Sequence, residues 1–476
     1  MITWSQLSAN DKQKTLARPA ISDSNTLRDN VADIINKVRR NGDDALFALT
    51  QKFDGVSLAT LRLTDKAVVK ATQSLSAERK LAIQTAYSQI EAFHSAQKAQ
   101  DIRVETMPGV ECILKTEAID SVGLYIPAGS APLPSTVLML GVPAKLAGCR
   151  RVVLVCPPDK NGDIADEIIY AAKLCQIGEI YTIGGAQAVA ALALGTKSIA
   201  AVNKVFGPGN RFVTEAKSQL SQQVPGFAID MPAGPSELLV IADDSANPAY
   251  VAADLLSQAE HGIDSQVILL SDSESVAKTV KQHVESQLQS LSRKAIAEQA
   301  LKQSRFIVTD SLQQAAEVSN LYGPEHLSIQ TRDNDTLLTQ LRGAGSIFVG
   351  DFTPESAGDY ASGTNHVLPT YGYSKVLSSL SLADFSRRYT VQTLSRQGLT
   401  ALAPTIVELT DAEGLDAHQR AVTIRVNQEV ERKLASELAA KPKDQDQDQD
   451  QDQDQNNAPI KDNTTQDATA QDKADE

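Results

Sequence analysis

Cysteine is scarce: four residues (Cys112, Cys149, Cys156 and Cys175) are spread over a chain of 476, with no CxxC pair. That spacing excludes a disulfide framework, argues against a thiolate zinc site, and suits buried thiols in a reducing compartment. No apolar run approaches the roughly 20 residues of a membrane-crossing helix. The first residues, MITWSQLSANDKQK, lack the basic stretch and apolar core of a secretory leader. A basic excess is missing too. The net charge is -14, and residues 441–476, with four Lys against eleven Asp and Glu, carry half of it. An acidic body excludes nucleic acid or an anionic membrane surface as the main partner. Finally there is no GxGxxG, since Gly207-Pro208-Gly209 is followed by Asn210, Arg211 and Phe212. The expectation is a soluble cytoplasmic protein.

What is present is length and rhythm. A hydrophobic fraction of 42% in this length can bury large cores, in roughly two to four domains. Up to about residue 100 the pattern is helical. Ser24 or Asn25 could cap a helix whose Leu27, Val31, Ile34, Ile35 and Val38 recur at three and four, with Asn41-Gly42 ending it. A second long helix is expected from Asp65 to about Gln97, with His94 on its solvated surface. From Val110 onward short apolar strands alternate with helical patterns, first in RRVVLVCPP, EIYTIGG and NKVFGPG, later in SQVILLS, RFIVTD, HLSIQT and GSIFVGD. Such repeats indicate parallel sheets covered on both faces. The fold class is therefore α/β, with two parallel-sheet, incomplete Rossmann-like domains and helical N- and C-terminal extensions. The expected division is an N-terminal extension (1–24), one α/β domain from 25–124 with 236–380, a second from 125–235, a helical segment 381–440, and an acidic DQ-rich tail from 441. The tail has no apolar side chain to bury and is expected to be disordered.

Four turn-rich segments fall at or near strand ends, where open parallel sheets bind ligands: residues 125–135, 183–189, 206–213 and 230–240. Two of them run strand, glycines, helix start, an arrangement that offers free backbone N–H groups to a phosphate. The stretch PESAGDYASGTNHVLPTYG (354–372) has neither helical nor strand period. It joins Glu355, Asp359 and His366 with apolar anchors, and is expected to be an ordered site loop.

Four of the six histidines sit beside acids, amides or glycines: His261, His326, His366 and His418. Imidazole in such company suits metal binding or proton transfer near neutral pH. Asn247-Pro248 begins a helix on which Val251, Leu255 and Gln258 share the buried stripe, with His261 flanking it. That pair reads either as a hydrogen-bonded cap or as two ligands of a hard or borderline metal. Glu325-His326 follows a rigid Gly-Pro turn. Adjacent side chains there point apart, so the two would serve separate tasks rather than form one dyad.

Together YIPAGSAPLPSTVLML, IGGAQAVAAL, FGPGN, DMPAGPSELLV, LLSQAEHG, GPEHL and ESAGDYASGTNHVLPTYG resemble, in order and spacing, the histidinol dehydrogenase family over residues 1–440. The resemblance implies a zinc enzyme, one ion per subunit. It would convert L-histidinol to L-histidine through a bound aldehyde with two NAD and one water. It further implies zinc ligands Gln258, His261, Asp359 and His418, proton-transfer residues Glu325 and His326, and NAD contacts Tyr125, Gln187 and Asn210. Ser236, His366 and Glu413 would line the substrate site along with the metal ligands and His326. The family is a homodimer with shared active sites, so Glu413 and His418 would act in the neighbouring subunit. Two other readings of the same residues are a zinc-dependent hydrolase with Glu325 as base, and a metabolite-binding protein without catalysis.

Overall fold

The computed structural model describes residues 1–19, 25–127, 131–232, 234–427 and 436; Ser24 and the 441–476 tail lie outside the described residues. The strands in chain order are β1 (Ile2–Thr3), β2 (Ile102–Met107), β3 (Val110–Ala118), β4 (Ser121–Tyr125), β5 (Arg151–Cys156), β6 (Glu179–Thr182) and β7 (Lys204–Phe206). They continue with β8 (Ala228–Ile229), β9 (Glu237–Ala242), β10 (Gln266–Ser271), β11 (Arg305–Val308), β12 (His326–Gln330), β13 (Ser346–Val349) and β14 (Ser386–Leu394). Two parallel sheets result, ordered β6-β5-β4-β7-β8 and β1-β11-β10-β9-β12-β13. Apart from the edge strand β1, both reverse direction of growth in the same way, beside their first strand. The reversal lies between β4 and β7 in one sheet and between β9 and β12 in the other. These are the switch points at which crevices open.

The strands explain themselves. β4, β9, β10 and β12 are buried at every residue, as near-continuous apolar runs must be when helices cover both faces. β1 pairs in parallel with β11 and buries Trp4 behind it, so the N-terminal extension forms an edge of the second sheet.

The end of the first helix at Asn41-Gly42 is as expected, since Gly42 leaves helical geometry at φ +52° and ψ -127°, a conformation only glycine holds cheaply, but a second helix follows at once and runs to Asp54. Several expectations are corrected. Asp65–Gln97 is two helices, Asp65–Ser74 and Ala77–Ser95, because the Ser76 side chain accepts the Arg79 N–H and starts a new one. Helices 25–54 and 65–95 share core with Val153, Val189, Leu138 and Ile168 around the β4–β8 sheet, and the helices of 65–95 also with Val367 and Leu380. Within 381–440, Ser386–Leu394 is a strand, and helix begins only at Arg396.

His94 is fully buried, not solvated. Its Nδ1 lies 2.8 Å from the Ile90 carbonyl and its Nε2 3.3 Å from the Asn365 amide nitrogen. Ile83, Ile90 and His94 form one helical stripe, which the polar residues between them conceal.

The chain divides into two compact units. One comprises Met1–Val104 with Cys112–Val391, and the other Glu105–Glu111 with the chain from Gln392 on. In the second unit Ser395 caps the helix Arg396–Ala412, and Asp416–Val426 follows. No helix among the described residues is long and apolar enough to cross a membrane.

Candidate active site at the amino ends of β9 and β12

The helix Pro248–Ala259 starts beyond the carboxyl end of β9, its cap Asn247 accepting the Ala249 N–H. Twelve residues at 1.5 Å rise carry it about 18 Å back toward the amino edge of the sheet. Gln258 therefore arrives, buried, beside the first residues of β9 and β12, while His261 sits just beyond the helix end with an exposed edge.

Around that point the polar side chains converge on the backbone N–H and C=O of Glu237. The Glu237 N–H donates to Glu325 Oε2 at 2.8 Å, and its carbonyl accepts from His326 Nδ1 at 3.1 Å. Glu325 Oε2 and His326 Nδ1 are consequently only 3.6 Å apart. The expectation that adjacent residues face apart is thus corrected: after Pro324 both side chains reach the backbone of Glu237, one its N–H and the other its C=O.

The segment 354–372 is also not all loop. Glu355–Tyr360 is a short helix that sets Glu355 and Asp359 one turn apart. Glu355 Oε1 lies 3.8 Å from His326 Nδ1, and Asp359 Oδ1 3.6 Å from His326 Nε2. The Gln258 amide is oriented by this carboxylate. With its nitrogen toward Glu355 Oε1 (2.5 Å) its oxygen accepts from the Glu237 N–H (3.2 Å), whereas the reverse would set oxygen against oxygen. Ser257 Oγ donates to the other Glu355 oxygen at 3.2 Å.

The charges follow from these contacts. Burial pushes Glu355 up to about 8 and raises Glu325 as well. For His326 burial works against the charged form, yet the facing carboxylates of Glu325, Glu355 and Asp359 raise its pKa well above the ordinary value. Burial likewise opposes ionisation of Asp359, but His326, then His366 and His261, hold it below the usual carboxylate range. His366 donates from Nδ1 to the Asp359 carbonyl (2.9 Å), and its Nε2 lies 3.4 Å from Thr136 Oγ1; burial lowers its pKa.

A divalent cation fits this donor set. His326, Glu355 and Asp359 offer ligand atoms within 4.8 Å of one another, and His326 Nε2 is buried without a hydrogen-bond partner. A cation there would favour the ionised forms of the carboxyl groups that burial disfavours, Glu355 and Glu325, while letting the ring stay neutral. Gln258, His261 and Asp359, three of the expected metal residues, belong to this neighbourhood. Half-buried Ser236 directly precedes Glu237. Glu413 and His418 are exposed in the second unit, at the end of one helix and the start of the next. Glu355, Glu237 and Arg18 are the residues that sequence reasoning left without a role. A helical reading of ESAGDY would have found Glu355 at i with Asp359 at i+4.

The expected cofactor residues occupy the carboxyl edge of the other sheet. Tyr125 ends β4, is buried, and its hydroxyl accepts the Gly185 N–H at 3.1 Å; burial takes its pKa up to about 12. Gln187 is buried in the first turn of Gly185–Leu194. Asn210 is exposed and caps Arg211–Gln223, accepting from the Phe212 and Val213 N–H groups. Tyr125 and Asn210 follow β4 and β7, the two strands that flank the switch point. Gly207 has φ +120°, and a Cβ there would lie 2.2 Å from the Tyr125 carbonyl oxygen, so the two loops meet only because residue 207 is glycine.

Against known proteins, the profile of the family described as histidinol dehydrogenase matches residues 17–426. A histidinol dehydrogenase of Colwellia psychrerythraea is 70% identical over 428 residues, 90% of this chain and 99% of that one. One of Vibrio parahaemolyticus is 59% identical, covering 90% and 98%. The crystal structure of histidinol dehydrogenase from Elizabethkingia anophelis superposes with a TM-score of 0.86 at 45% identity, covering 90% and 98%.

Proposed function

The chain belongs to the histidinol dehydrogenase family and is an NAD-dependent oxidoreductase that oxidises histidinol in histidine biosynthesis; from that premise we propose how its residues perform the reaction. The observation that carries the reading is His326: Nδ1 is committed to the Glu237 carbonyl, while Nε2 is buried, unpartnered and 3.6 Å from Asp359. An imidazole fixed in this way is a base with one available nitrogen.

Gln258, His261 and Asp359, with His418, would hold one zinc ion per subunit. Of the His326, Glu355 and Asp359 cluster only Asp359 would then be a ligand, which leaves His326 Nε2 to act as base. Bound zinc would supply positive charge that anchors the imidazole and amine of L-histidinol. The loops of Tyr125, Gln187 and Asn210 would hold NAD, which when bound would supply the hydride acceptor. Ser236, His366 and Glu413 line the substrate pocket, Glu413 facing the substrate amine.

The chain's own residues then divide the proton work. His326 Nε2 takes the hydroxyl proton as hydride leaves the carbinol carbon, giving the aldehyde. Glu325, whose Oε2 is held by the Glu237 N–H, uses Oε1 to take a proton from the water that adds to the aldehyde carbon. His326 passes its first proton to solvent. The hydrate, left as its monoanion by the proton given to Glu325, would then lose a second hydride to a second NAD while His326 takes the remaining hydroxyl proton, leaving the carboxylate of L-histidine. Keeping the aldehyde bound requires a closed site assembled from separated segments, which supports a homodimer in which Glu413 and His418 act in the partner's site. The test is NADH yield per histidinol, expected at about two and abolished by a chelator. A yield near one, or chelator-insensitive turnover, would reject the scheme.

A further inference from the structure

Behind Glu325 and His326 lies a charged clamp that the reaction scheme does not use. Arg18 approaches Glu237 as a fork, Nε to Oε1 at 2.5 Å and Nη2 to Oε2 at 3.0 Å, with both groups largely buried. The same Nη2 donates to the carbonyls of Tyr322 (2.9 Å) and Gly323 (3.0 Å), and the guanidinium lies 3.9 Å from the centre of the Tyr322 ring. Those carbonyls end the helix Leu312–Tyr322, where Gly323 turns left-handed at φ +65° just before Pro324, Glu325 and His326. A helix end leaves carbonyls unpaired, and a cation there is favourable.

Arg18 therefore holds two things at once. One is the turn that launches Glu325 and His326. The other is the side chain of Glu237, whose own N–H and C=O hold those residues' reactive groups. Glu237 Oε1 also accepts the Tyr371 N–H at 2.9 Å, where Tyr371 takes φ +56°, strained for a bulky residue. Tyr371 closes the segment that carries Asp359 and His366. The neighbours of Arg18 are pinned as well: the Ala17 carbonyl accepts from Gln266 Nε2 (3.2 Å) and the Pro19 carbonyl from Tyr371 Oη (3.0 Å).

We propose that Arg18 is a positioning residue for the oxidation, setting through Glu237 and the Tyr322–Gly323 carbonyls the placement of Glu325 and His326. The N-terminal segment is then part of the active-site scaffold. Lysine cannot replace the fork, because it offers a point charge where two parallel N–H donors are required. This inference rests on the roles given to Glu325 and His326.

Arg18→Ala is expected to lower kcat roughly 10- to 100-fold while KM for histidinol and for NAD changes by less than about twofold. Methylguanidine, at concentrations that leave the melting temperature unaltered, should restore part of the lost kcat; Arg18→Lys should remain impaired. A merely structural role would give activity in proportion to folded protein, with no recovery by methylguanidine, and would overturn the proposal. So would a kcat equal to wild type. If Arg18→Ala does not fold, Glu237→Gln retains the acceptor for Tyr371 but loses the charge and sets an amide NH2 donor against Arg18 Nη2, breaking the fork. It should show the same kcat-selective loss, and an unchanged kcat there would likewise overturn the proposal. Glu325→Gln is assayed in parallel. Full activity in that variant would remove the underlying assignment, whereas impaired Glu325→Gln beside unimpaired Arg18→Ala would reject the clamp alone.

Discussion

Glu325 and His326 are both held by the backbone of one residue, Glu237. Their hydrogen bonds to the Glu237 N–H and C=O make Glu325→Gln a selective change, since glutamine can still accept that N–H but cannot take a proton from water. The first hydride transfer should persist while aldehyde oxidation falls roughly 10²- to 10⁴-fold, read as histidinaldehyde accumulating in single-turnover assays; equal loss of both steps would contradict the assigned role. Asp254 offers a separate test. It is buried on the Pro248–Ala259 helix, accepts from Gln330 Nε2 at 2.8 Å, and burial raises its pKa to about 6. With the folded value above the unfolded one, its favourable contribution is complete below about pH 4 and is lost as pH rises through about 6. Asp254→Asn should accordingly gain stability relative to wild type between pH 5 and 8, by about 1–3 kcal/mol at most. Melting curves across that range check the sign, and a gap that narrows with rising pH would refute it.

The elements matter through where they end. The return of Pro248–Ala259 to the amino edge delivers Gln258, and the short helix Glu355–Tyr360 delivers two acids on one face, one turn apart. In the other sheet the turn after β7 is held from both sides: Asp230 accepts the Gly207 N–H at 2.7 Å, and Lys217, ion-paired with Asp230, donates to the Gly207 carbonyl at 2.9 Å. Gly207→Ala combines a left-handed backbone with a Cβ 2.2 Å from the Tyr125 oxygen, so the turn must move. KM for NAD should rise roughly tenfold or more, since strain of this kind costs about 1–3 kcal/mol. Zinc content should stay at the wild-type level. An unaltered KM for NAD would separate this turn from cofactor binding.

At the scale of the whole molecule, the exposed positions of Glu413 and His418 in the second unit make a shared site testable by complementation. Glu325→Gln and His418→Ala chains, each expected to fail in the full reaction on its own, are mixed and allowed to reassort. If His418 serves the partner, each mixed dimer holds one intact site, and on the order of a quarter of wild-type activity returns. If it serves its own chain, every site keeps a defect and nothing returns.

The sequence by itself determined the α/β class, because buried parallel strands require apolar runs visible as RVVLVC, ELLVIA and QVILLS. It also determined the buried stripe that carries Gln258, since helical periodicity is local, and the family, since the motifs are specific in order and spacing. Only tertiary structure decided the rest. The burial of His94, the meeting of Glu325 with His326 at Glu237, and the reach of Arg18 across to residues 237, 322 and 323 join positions far apart in the chain. Such contacts leave no local period behind them. A charged residue that closes a buried clamp reads, in one dimension, like any residue on a solvated surface.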